Sequence, residues 1–437
     1  MRFYIHTFGC QMNVNESRKV EALLLQKGYR LVKTPAEADV VLINTCSVRE
    51  KPERKVFSMV GRLRREGKRV GVMGCVAQQY GKKMLERERG IDFVVGTQNL
   101  HRLPLILEEA LKTRKAKCAT EFLPKMDTLK IFETPLAFPS VSAYVTVMQG
   151  CDRFCGYCIV PFVRGRERSR PSAAIIQEIR ALIQQGVREI ILLGQNVNRY
   201  GLDRRDDLTF PELLRKINAI EGLKRLRFVT SHPASLNDET IRLFKELRTV
   251  CEAIHLPFQS GSNRILRLMG RGYTRELYLE KVRKLREVRP DIALSADVMV
   301  GFPGETEKDF EDTLTLMEEV QFDTLYSFRY TPRPLTRAAG YPNQVSEKDK
   351  QRRLRILQDL QLGITLRKNR NQVGKTKKVL IEGPSKHPKG FVMGRARDNR
   401  IVHFEGSPDE VGREVAVRIT EGYQNSLRGE REENHVY

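Results

Sequence analysis

Cys151-Asp-Arg-Phe-Cys155-Gly-Tyr-Cys158 is a run of eight residues that contains three cysteines, in the spacing Cys-x3-Cys-x2-Cys. The run follows an apolar, strand-like segment, residues 143–148, and a turn glycine, Gly150. Cubane iron–sulfur clusters are usually held by four cysteine thiolates. A run of three can bind three corners of such a cluster, and it leaves the fourth iron open to a ligand that is not protein.

A structural zinc site is the alternative interpretation of this run. Such a site needs four closed ligands, commonly as paired Cys-x2-Cys motifs. Here the one Cys-x2-Cys pair is part of the triplet, and the nearest later candidates, His232 and Cys251, lie in segments that read as other strands. A disulfide is disfavoured because no signal peptide precedes the chain and the cysteines are too clustered to staple a core. The run therefore predicts an iron–sulfur cluster.

The same spacing resembles that of the radical S-adenosylmethionine (SAM) superfamily. The resemblance implies that SAM chelates the open iron and that one electron from the cluster breaks a carbon–sulfur bond, giving a 5′-deoxyadenosyl radical. Acid–base side chains cannot activate an inert C–H bond, so the cofactor carries the hard step and the protein positions it. Tyr157 lies between two of the cysteines, and we expect its ring to pack on the adenine of SAM; the alternative is a core aromatic.

The charge balance of the chain indicates a polyanionic partner. Its 437 residues include 77 Lys and Arg against 54 Asp and Glu, a net charge of +23. An excess of this size is typical of proteins that bind nucleic acid. No apolar run of about 18 residues is present, so we expect no transmembrane helix. With no signal peptide, we expect a cytoplasmic protein of two to four domains.

The first 111 residues alternate between strand and helix patterns, which predicts a parallel sheet covered on both faces. Strands are expected at residues 2–8, 39–44, 69–73 and 91–95, and helices at 14–26, 50–65, 76–89 and 100–111.

Three widely spaced cysteines, Cys10, Cys46 and Cys75, each follow one of these predicted strands. Because the carboxyl ends of parallel strands line one crevice, the three could converge on a second cluster with one open iron. The alternative is three small buried hydrophobic residues, a common role for cysteine. Cys118 and Cys251 have no such context, and we interpret them as ordinary thiols.

Three motifs around these cysteines resemble the radical SAM methylthiotransferase family: Phe8-Gly-Cys-Gln-Met-Asn13, Asn44-Thr-Cys-Ser-Val-Arg-Glu-Lys51 and Gly74-Cys-Val-Ala-Gln78. The residues of these motifs are most similar to those of the branch that makes 2-methylthio-N6-isopentenyladenosine in tRNA. Related branches act on threonylcarbamoyladenosine in tRNA or on an aspartate of a ribosomal protein. The resemblance implies that Cys10, Cys46 and Cys75 hold an auxiliary 4Fe–4S cluster.

The central segment, residues 143–367, carries six strand patterns with helices between them. They begin near residues 143, 189, 225, 253, 292 and 322. Six βα units are too few for a closed eight-fold barrel, so we expect an open, partial barrel, which also matches the radical SAM fold. Residues 112–142 lack periodicity, and we place a linker at 118–142.

Polar or glycine-rich turns end several of the central strands. The carboxyl ends of such strands carry function, and glycines there let a ligand approach the backbone. We expect these turns to hold SAM or the target base, with helix caps and tight turns as the alternative. The residues concerned are Gly194, Gln195, Asn196, Gln259, Ser260, Gly261, Gly301 and Gly304. We interpret His232 and His255 as hydrogen-bonded structural residues rather than proton donors.

Four alternating arginines, Arg164, Arg166, Arg168 and Arg170, follow the cysteine run. In an extended chain this spacing puts them on one side. We expect them to contact RNA phosphates or the SAM carboxylate; a solvated run of charge is the alternative.

The C-terminal part of the chain is basic and then β-rich. Residues 329–378 hold fourteen Lys and Arg against three Asp and Glu, and residues 348–367 have a helical pattern. Short strands at 377–382, 391–395, 401–404 and 414–420 predict a small β-barrel. Residues 368–431 resemble a TRAM domain, an RNA-binding barrel whose phosphate contacts would position the substrate. The stretch 330–337 resembles a family segment that usually has glycine where Leu335 stands.

The expected α/β fold is therefore an N-terminal parallel α/β sandwich (1–117), a partial (β/α)6 radical SAM barrel (143–367) and a TRAM-like β-barrel (368–431). The resemblance implies methylthiolation of C2 of an isopentenylated adenosine beside the anticodon. One SAM would methylate a sulfur at the auxiliary cluster, and a second would give the radical that removes hydrogen from C2. No catalytic side chain beyond the cluster ligands is expected.

We expect a monomer whose partners are the tRNA anticodon loop, a reductant such as flavodoxin or ferredoxin, and a sulfur donor, with no membrane. An unpaired loop base suits this chemistry because it can be splayed into a pocket. Within the class, the alternatives are threonylcarbamoyladenosine in tRNA and a ribosomal protein. Outside it, the alternative is a zinc-stabilised RNA-binding protein without catalysis.

Overall fold

The N-terminal module is a parallel sheet in the computed structural model, which describes residues 1–47, 50–88, 90–124, 129–386 and 390–432. Val48 and Arg49 of the second cysteine motif lie outside the described residues. The strands are β1 (Arg2–Thr7), β2 (Arg30–Leu31), β3 (Val40–Thr45), β4 (Arg69–Gly74), β5 (Phe93–Val95) and β6 (Lys117–Ala119). The helices are α1 (Gln11–Gln26), α2 (Glu50–Arg65), α3 (Cys75–Tyr80), α4 (Lys82–Arg87) and α5 (Leu103–Thr113).

The strands run in the order β2-β1-β3-β4-β5-β6, and every pair is parallel. All six residues of β3 are buried, as expected for a central strand covered on both faces. The chain order reverses between β1 and β3, and ligands bind at such a switch point in open α/β sheets. The sequence pattern missed β2 and β6, which have only two and three residues.

Two local features differ from the sequence expectation. The single helix predicted at 76–89 is two short helices, because Gly81 adopts φ +51° between them. The segment 118–142, predicted as a linker, contains part of β6 and a 3₁₀ turn at Lys130–Glu133 whose Ile131 and Phe132 join the N-terminal core.

The central module is a partial barrel of six parallel strands, as predicted. Its elements are β7 (Ser142–Thr146), β8 (Met148–Gln149), α6 (Val160–Arg164), β9 (Arg168–Ser169), α7 (Ser172–Gln184), β10 (Glu189–Leu193), α8 (Phe210–Asn218), β11 (Arg225–Phe228), α9 (Asp238–Glu246), β12 (Ala253–His255), α10 (Asn263–Met269), α11 (Arg275–Val288), β13 (Ala293–Val300), α12 (Glu307–Val320), β14 (Thr324–Arg329) and α13 (Glu347–Arg370). The main strands form two sheets, β11-β10-β7 and β12-β13-β14, joined by an isolated bridge between Leu226 and Val250.

The C-terminal module is a closed five-stranded barrel in the order β15-β16-β17-β19-β18. Its strands are β15 (Thr376–Pro384), β16 (Phe391–Ala396), β17 (Ile401–Glu405), β18 (Glu414–Gly422) and β19 (Leu427–Arg431). The sequence pattern missed β19, in which only Leu427 and Gly429 are buried. This strand pairs with both β17 and β18, and closure leaves the barrel without an exposed edge.

The C-terminal barrel docks at the amino ends of the central strands. Arg225, the first residue of β11, is fully buried and donates to the backbone oxygens of Lys378 (2.9 Å) and Arg395. Arg227 donates to the backbone oxygens of Ala396 and Arg397, both at 2.8 Å. The barrel therefore lies at the opposite end of the strands from the cysteine run, which follows the carboxyl end of β7.

Leu335 generates a stability prediction. It is 66% exposed and has φ +70°, a left-handed conformation that costs a side-chain-bearing residue about 1–2 kcal/mol. Leu335→Gly should remove this strain. Glycine also makes the unfolded chain more flexible, but this entropic cost is smaller than the strain, so we expect a gain of about 0.5–1 kcal/mol in unfolding free energy. Urea unfolding and the melting temperature would measure it.

Leu202 is the matched control. It is also an exposed loop leucine, at 60%, but it is not among the described residues with positive φ. Leu202→Gly should lower stability by about 0.5–1 kcal/mol. Equal losses in both variants would contradict a strained backbone at Leu335.

Candidate active site

Cys10, Cys46 and Cys75 lie at the carboxyl ends of β1, β3 and β4, as the sequence predicted. Cys10 is the N-cap residue of α1, Cys46 follows β3 directly, and Cys75 is the first residue of α3. Gly9 has φ +145°, and a Cβ there would lie 2.8 Å from the Cβ of Cys46. The chain before Cys10 thus passes so close to Cys46 that only glycine fits. We call these three cysteines the Cys10 site.

The thiols of the Cys10 site interact with one another and with Arg164. A hydrogen bond with the Cys46 thiol is the main cause that lowers the pKa of Cys10 to about 5, and the Arg164 charge lowers it further. Burial raises the pKa of Cys75 to about 11, although the Arg164 guanidinium acts to lower it. The three side chains therefore share one electrostatic environment with one guanidinium.

Two buried asparagines hold the loops of the Cys10 site. The Oδ1 of Asn13 accepts from the Cys10 amide at 3.2 Å and from its thiol at 3.3 Å. The Nδ2 of Asn13 donates to Asn44 Oδ1 and to the Thr45 carbonyl, both at 3.0 Å. The Nδ2 of Asn44 donates back to the Asn13 carbonyl at 2.9 Å. The family motifs thus contain the amides that fix Cys10 against the end of β3.

A buried ion pair joins the Cys10 site to the central module. Arg164, at the end of α6, donates from Nη1 and Nη2 to the two carboxylate oxygens of Glu16 in α1, at 2.6 and 3.2 Å. The Glu16 side chain is fully buried and that of Arg164 is 3% exposed. Bidentate pairing of this kind fixes geometry as well as charge. The pair holds the end of α6 against α1.

Cys151, Cys155 and Cys158, which we call the Cys151 site, lie in the loop between β8 and α6. Gly150 has φ +87°, and its amide donates to Gln195 Oε1 at 2.5 Å. The Cys151 amide donates to the Gly165 carbonyl at 3.1 Å. Burial raises the pKa of Cys151 to about 11 and that of Cys158 to about 12. The loop is thus anchored on both sides.

Arg271 contacts the Cys151 site from the turn after α10. Its Nη1 lies 3.5 Å from the Cys155 sulfur and 3.4 Å from the Tyr157 hydroxyl. Sequence reasoning missed this residue. The available signal was its position between Gly270 and Gly272, both at positive φ, in a turn that follows a short helix.

The two cysteine sites adjoin each other. Cys75 packs against Ile159 and Val163 of the segment that leaves the Cys151 loop, and Ile159 directly follows Cys158. Thr97 adds a hydrogen bond at 2.6 Å to the carbonyl of Val163. The chain thus brings two three-cysteine sites together at the carboxyl ends of two different sheets.

The donor sets fit two cubane clusters with three protein ligands each. All eight cysteines are free thiols, and six of them fall into these two groups. Within the described part of the chain, no three His, Cys, Asp or Glu side chains lie close enough to hold a single metal ion. A cubane binds each thiolate at a separate iron corner, so three cysteines at each site supply three of its four usual protein ligands. Each site also has a buried arginine, which suits a negatively charged group.

Buried polar atoms without a partner surround the Cys151 loop. These side-chain nitrogens and oxygens form no hydrogen bond with any described residue, although a buried polar atom without a partner destabilises the protein. They belong to Gln149, Arg153, Glu167, Asn196, Asn198, Ser231 and His232. Arg153 and Asn196 both donate to Ser235 Oγ, at 3.0 and 3.3 Å, and the His232 amide donates to Asn198 Oδ1 at 3.2 Å, so several of these residues lie next to one another. A polar ligand such as SAM fits this group.

The residues of the glycine-rich turns fall into two classes. A Cβ at Gly194, Gly261 or Gly301 would collide with Met148, with the Asp312 backbone or with Lys350. These glycines are thus required by packing within the protein. Gly304, in contrast, has φ +79° and open space beside it.

Gln259 and Ser260 are held by the backbone and by α12. Gln259 has φ +67°, and its amide donates to the Asp297 carbonyl at 3.0 Å. Ser260 is buried, and its hydroxyl accepts from the Ser262 amide at 3.2 Å. Tyr157 packs with Tyr330 and Phe302 in a small apolar cluster beside the Cys151 site.

The expectation that four alternating arginines share one side of an extended chain is wrong. Arg164 ends a helix and pairs with Glu16, while Arg170 is buried and pairs with Glu178 at 2.7 Å. Only Arg166 is well exposed, and it pairs with Asp152 at 2.6 Å. The turn at Gly165, with φ +81°, breaks the alternation.

Both histidines make hydrogen bonds within the protein, although the Nε2 of His232 is one of the unpartnered atoms described above; Cys118 is half-buried and Cys251 is buried. His232 Nδ1 accepts from the Ala234 amide at 3.2 Å, and burial lowers the pKa of His232 to about 2. His255 lies 3.1 Å from Ser295 Oγ and 3.4 Å from Asp297 Oδ2. Burial raises the pKa values of Cys118 and Cys251.

Three families of known proteins match successive parts of the chain. Residues 2–96 match the uncharacterized protein family UPF0004, residues 145–317 the radical SAM superfamily and residues 370–431 the TRAM domain. None of the described helices is long and apolar enough to cross a bilayer.

Curated relatives align over nearly the whole chain. A tRNA-2-methylthio-N(6)-dimethylallyladenosine synthase of Syntrophobacter fumaroxidans is 50% identical over 434 residues, covering 98% of this chain and 95% of the relative. The enzyme of the same name from Geobacter metallireducens is 50% identical over 431 residues, covering 98% and 97%.

Solved structures share the fold at low sequence identity. The radical SAM methyltransferase TsrM from Kitasatospora setae, with cobalamin and a [4Fe-4S] cluster bound, is 15% identical, with a TM-score of 0.55 over 77% of each chain. The cobalamin-dependent radical SAM enzyme OxsB is 13% identical, with a TM-score of 0.51 over 82% of this chain and 56% of the other.

The Arg164–Glu16 pair generates a second stability prediction. Arg164→Gln leaves the Glu16 carboxylate buried without its counter-charge, and breaking a buried pair in this way costs about 3–5 kcal/mol. We expect a corresponding loss in the unfolding free energy of the apo-protein, measured by urea denaturation.

Arg166→Gln is the matched control two residues away. Arg166 is solvated and pairs with Asp152 on the surface, and exposed pairs contribute little. Its substitution should leave the urea midpoint nearly unchanged. A similar loss of unfolding free energy in both variants would mean that the buried pair stabilises the protein no more than the exposed pair does.

Proposed function

The chain belongs to the family of the tRNA-2-methylthio-N(6)-dimethylallyladenosine synthases, and we propose that its two cysteine sites hold two 4Fe–4S clusters with different tasks. The protein is a radical SAM enzyme that attaches a methylthio group to C2 of N6-dimethylallyladenosine, also called N6-isopentenyladenosine, in tRNA. It acts with SAM and iron–sulfur chemistry. The observation that carries the proposal is the direct contact between the two sites through Cys75 and Ile159.

We assign the cluster that cleaves SAM to the Cys151 site and the auxiliary cluster to the Cys10 site. When bound, the former supplies the electron that turns SAM into a hydrogen-abstracting radical. The protein holds this loop rigid through the Gly150–Gln195 hydrogen bond and the Gly165 turn. At the Cys10 site, Asn13 and Asn44 hold the loops, and the positive charge of Arg164 lowers the pKa values of Cys10 and Cys75.

SAM is assigned to the polar group beside the Cys151 loop. The Oδ1 of Asn196 and the Oγ of Ser231 are buried acceptors without partners among the described residues, so a ligand can satisfy them. Gln195 anchors the loop from the same turn. We keep Tyr157, Gln259, Ser260 and Gly304 as further contacts of SAM or the base. Gly194, Gly261 and Gly301 contribute by letting these turns pack closely.

The tRNA is assigned to a path along the central barrel. The C-terminal barrel matches the RNA-associated TRAM domain and docks at the amino ends of the central strands. The Cys151 loop follows their carboxyl ends. A strand of five residues spans roughly 17 Å, so the RNA must reach at least this far to present one base. Phosphate contacts at one end and base contacts at the other suit an anticodon stem-loop.

The remaining assignments follow from this substrate. We place the domains at 1–117, 143–367 and 368–431, and the protein in the cytoplasm with its tRNA. We propose that it works as a monomer, with a flavodoxin or ferredoxin as reductant and a separate sulfur donor. The surface cations beyond the buried ion pairs serve the RNA backbone.

Iron content after anaerobic reconstitution tests the cluster assignment. The wild type should bind about eight irons, and the Cys151/Cys155/Cys158→Ala and Cys10/Cys46/Cys75→Ala variants about four each. Cys118/Cys251→Ala is the control and should keep the wild-type content. Four irons in the wild type and none in the Cys151-site variant would mean that the Cys10 site is structural.

Mass spectrometry of tRNA nucleosides tests the reaction. A host strain that lacks its own gene for this enzyme should accumulate N6-dimethylallyladenosine in its tRNA. Expression of the wild-type chain in that strain should convert this nucleoside to the 2-methylthio form. Both triple-alanine variants should leave it unconverted, because each site is required. Substantial product from the Cys10-site variant would contradict the two-cluster assignment.

A further inference from the structure

Arg271 is a buried cation aimed at the Cys151 site. Beyond its contacts with Cys155 and Tyr157, its Nη2 donates to the Pro257 carbonyl and its Nε to the Tyr273 hydroxyl, both at 3.2 Å. Only 6% of the residue is exposed. Each hydrogen bond that Arg271 makes to a described residue is thus to a neutral group or to a cysteine.

Five other buried arginines each pair with a carboxylate. The pairs are Arg164–Glu16, Arg170–Glu178, Arg225–Glu414, Arg227–Glu189 and Arg353–Glu305, at 2.6–2.9 Å. Arg271 makes no salt bridge with any described carboxylate. Burying an unpaired charge costs several kcal/mol, so natural proteins rarely do it without an anion nearby.

The anion that fits is the cluster itself. Arginine stays protonated in proteins, so Arg271 presents a permanent positive charge to the Cys155 sulfur. A thiolate-ligated cluster is negatively charged and becomes more so when it accepts an electron. Net charge and hydrogen bonds to the sulfurs are among the factors that set the reduction potential of such clusters. A fixed cation at hydrogen-bonding distance therefore favours the reduced state.

We propose that Arg271 is the counter-cation of the cluster at the Cys151 site and raises the reduction potential of that cluster. The inference rests on the proposed assignment of a cluster to this site. Reduction adds one electron, taken from the external reductant, and no proton. Arg271 thus makes the electron transfer that precedes SAM cleavage more favourable. Its hydrogen bonds to Pro257 and Tyr273 hold the guanidinium in place.

A redox titration with dithionite, followed by electron paramagnetic resonance, tests the proposal. It uses the full-length Cys10/Cys46/Cys75→Ala variant without SAM, so that only the Cys151-site cluster is observed. In this background Arg271→Gln should shift the midpoint potential to a more negative value. Arg271→Lys keeps the charge and should stay closer to the parent. Because arginine does not titrate, the Gln shift should be the same at pH 7 and pH 9.

Arg170→Gln is the matched control. It also removes a buried arginine, paired with Glu178, and Arg170 contacts no cysteine among the described residues. Its midpoint potential should equal that of the parent. An unchanged potential in Arg271→Gln would overturn the proposal, as would equal shifts in the Gln and Lys variants, which would indicate a role in geometry rather than charge. Absence of any cluster from the parent would overturn the cluster assignment, and this inference with it.

Discussion

The bidentate contact between Arg164 and Glu16 is the constraint on which the rest of the site depends. Arg164 ends the helix that leaves the Cys151 loop, and Glu16 lies in the helix that begins at Cys10. With both groups buried, separating the two modules would expose or strand a charge, which is strongly unfavourable. The charge of the same guanidinium lowers the pKa values of Cys10 and Cys75. One side chain thus fixes the modules together and contributes to the electrostatics of a cysteine site.

The carboxyl ends of two separate parallel sheets meet at this contact. Each sheet places its loops at that edge for ordinary topological reasons, and each contributes three cysteines. The amino ends of the central strands have a different role, because buried Arg225 and Arg227 bind backbone oxygens of the C-terminal barrel there. In the proposed binding path this separation suits an RNA substrate, which can be held at one end of the strands and modified at the other.

The sequence predicted what depends on local pattern. The six main strands of the partial barrel, the strand-end positions of Cys10, Cys46 and Cys75, and the small C-terminal barrel all follow from periodicity and motif spacing. Strands β2, β6 and β19 were missed because they are short and also contain few apolar residues, so they show no clear alternation.

Pairings between distant residues could not be predicted in the same way. Arg164 and Glu16 are 148 positions apart, and Arg271 and Cys155 are 116 apart, so no local signal connects them. The alternation of Arg164 to Arg170 suggested an exposed row, but the positive φ of Gly165 redirects the chain and buries two of the four. Tertiary contacts decide which charges are solvated and which are structural.

Anomalous diffraction at the iron edge, from crystals of the anaerobically reconstituted wild type, tests the central claim most directly. We expect two separate iron clusters, one among Cys10, Cys46 and Cys75 and one among Cys151, Cys155 and Cys158, with the Arg271 guanidinium against the second. A single cluster at the Cys151 site, with the three other thiols free, would contradict it.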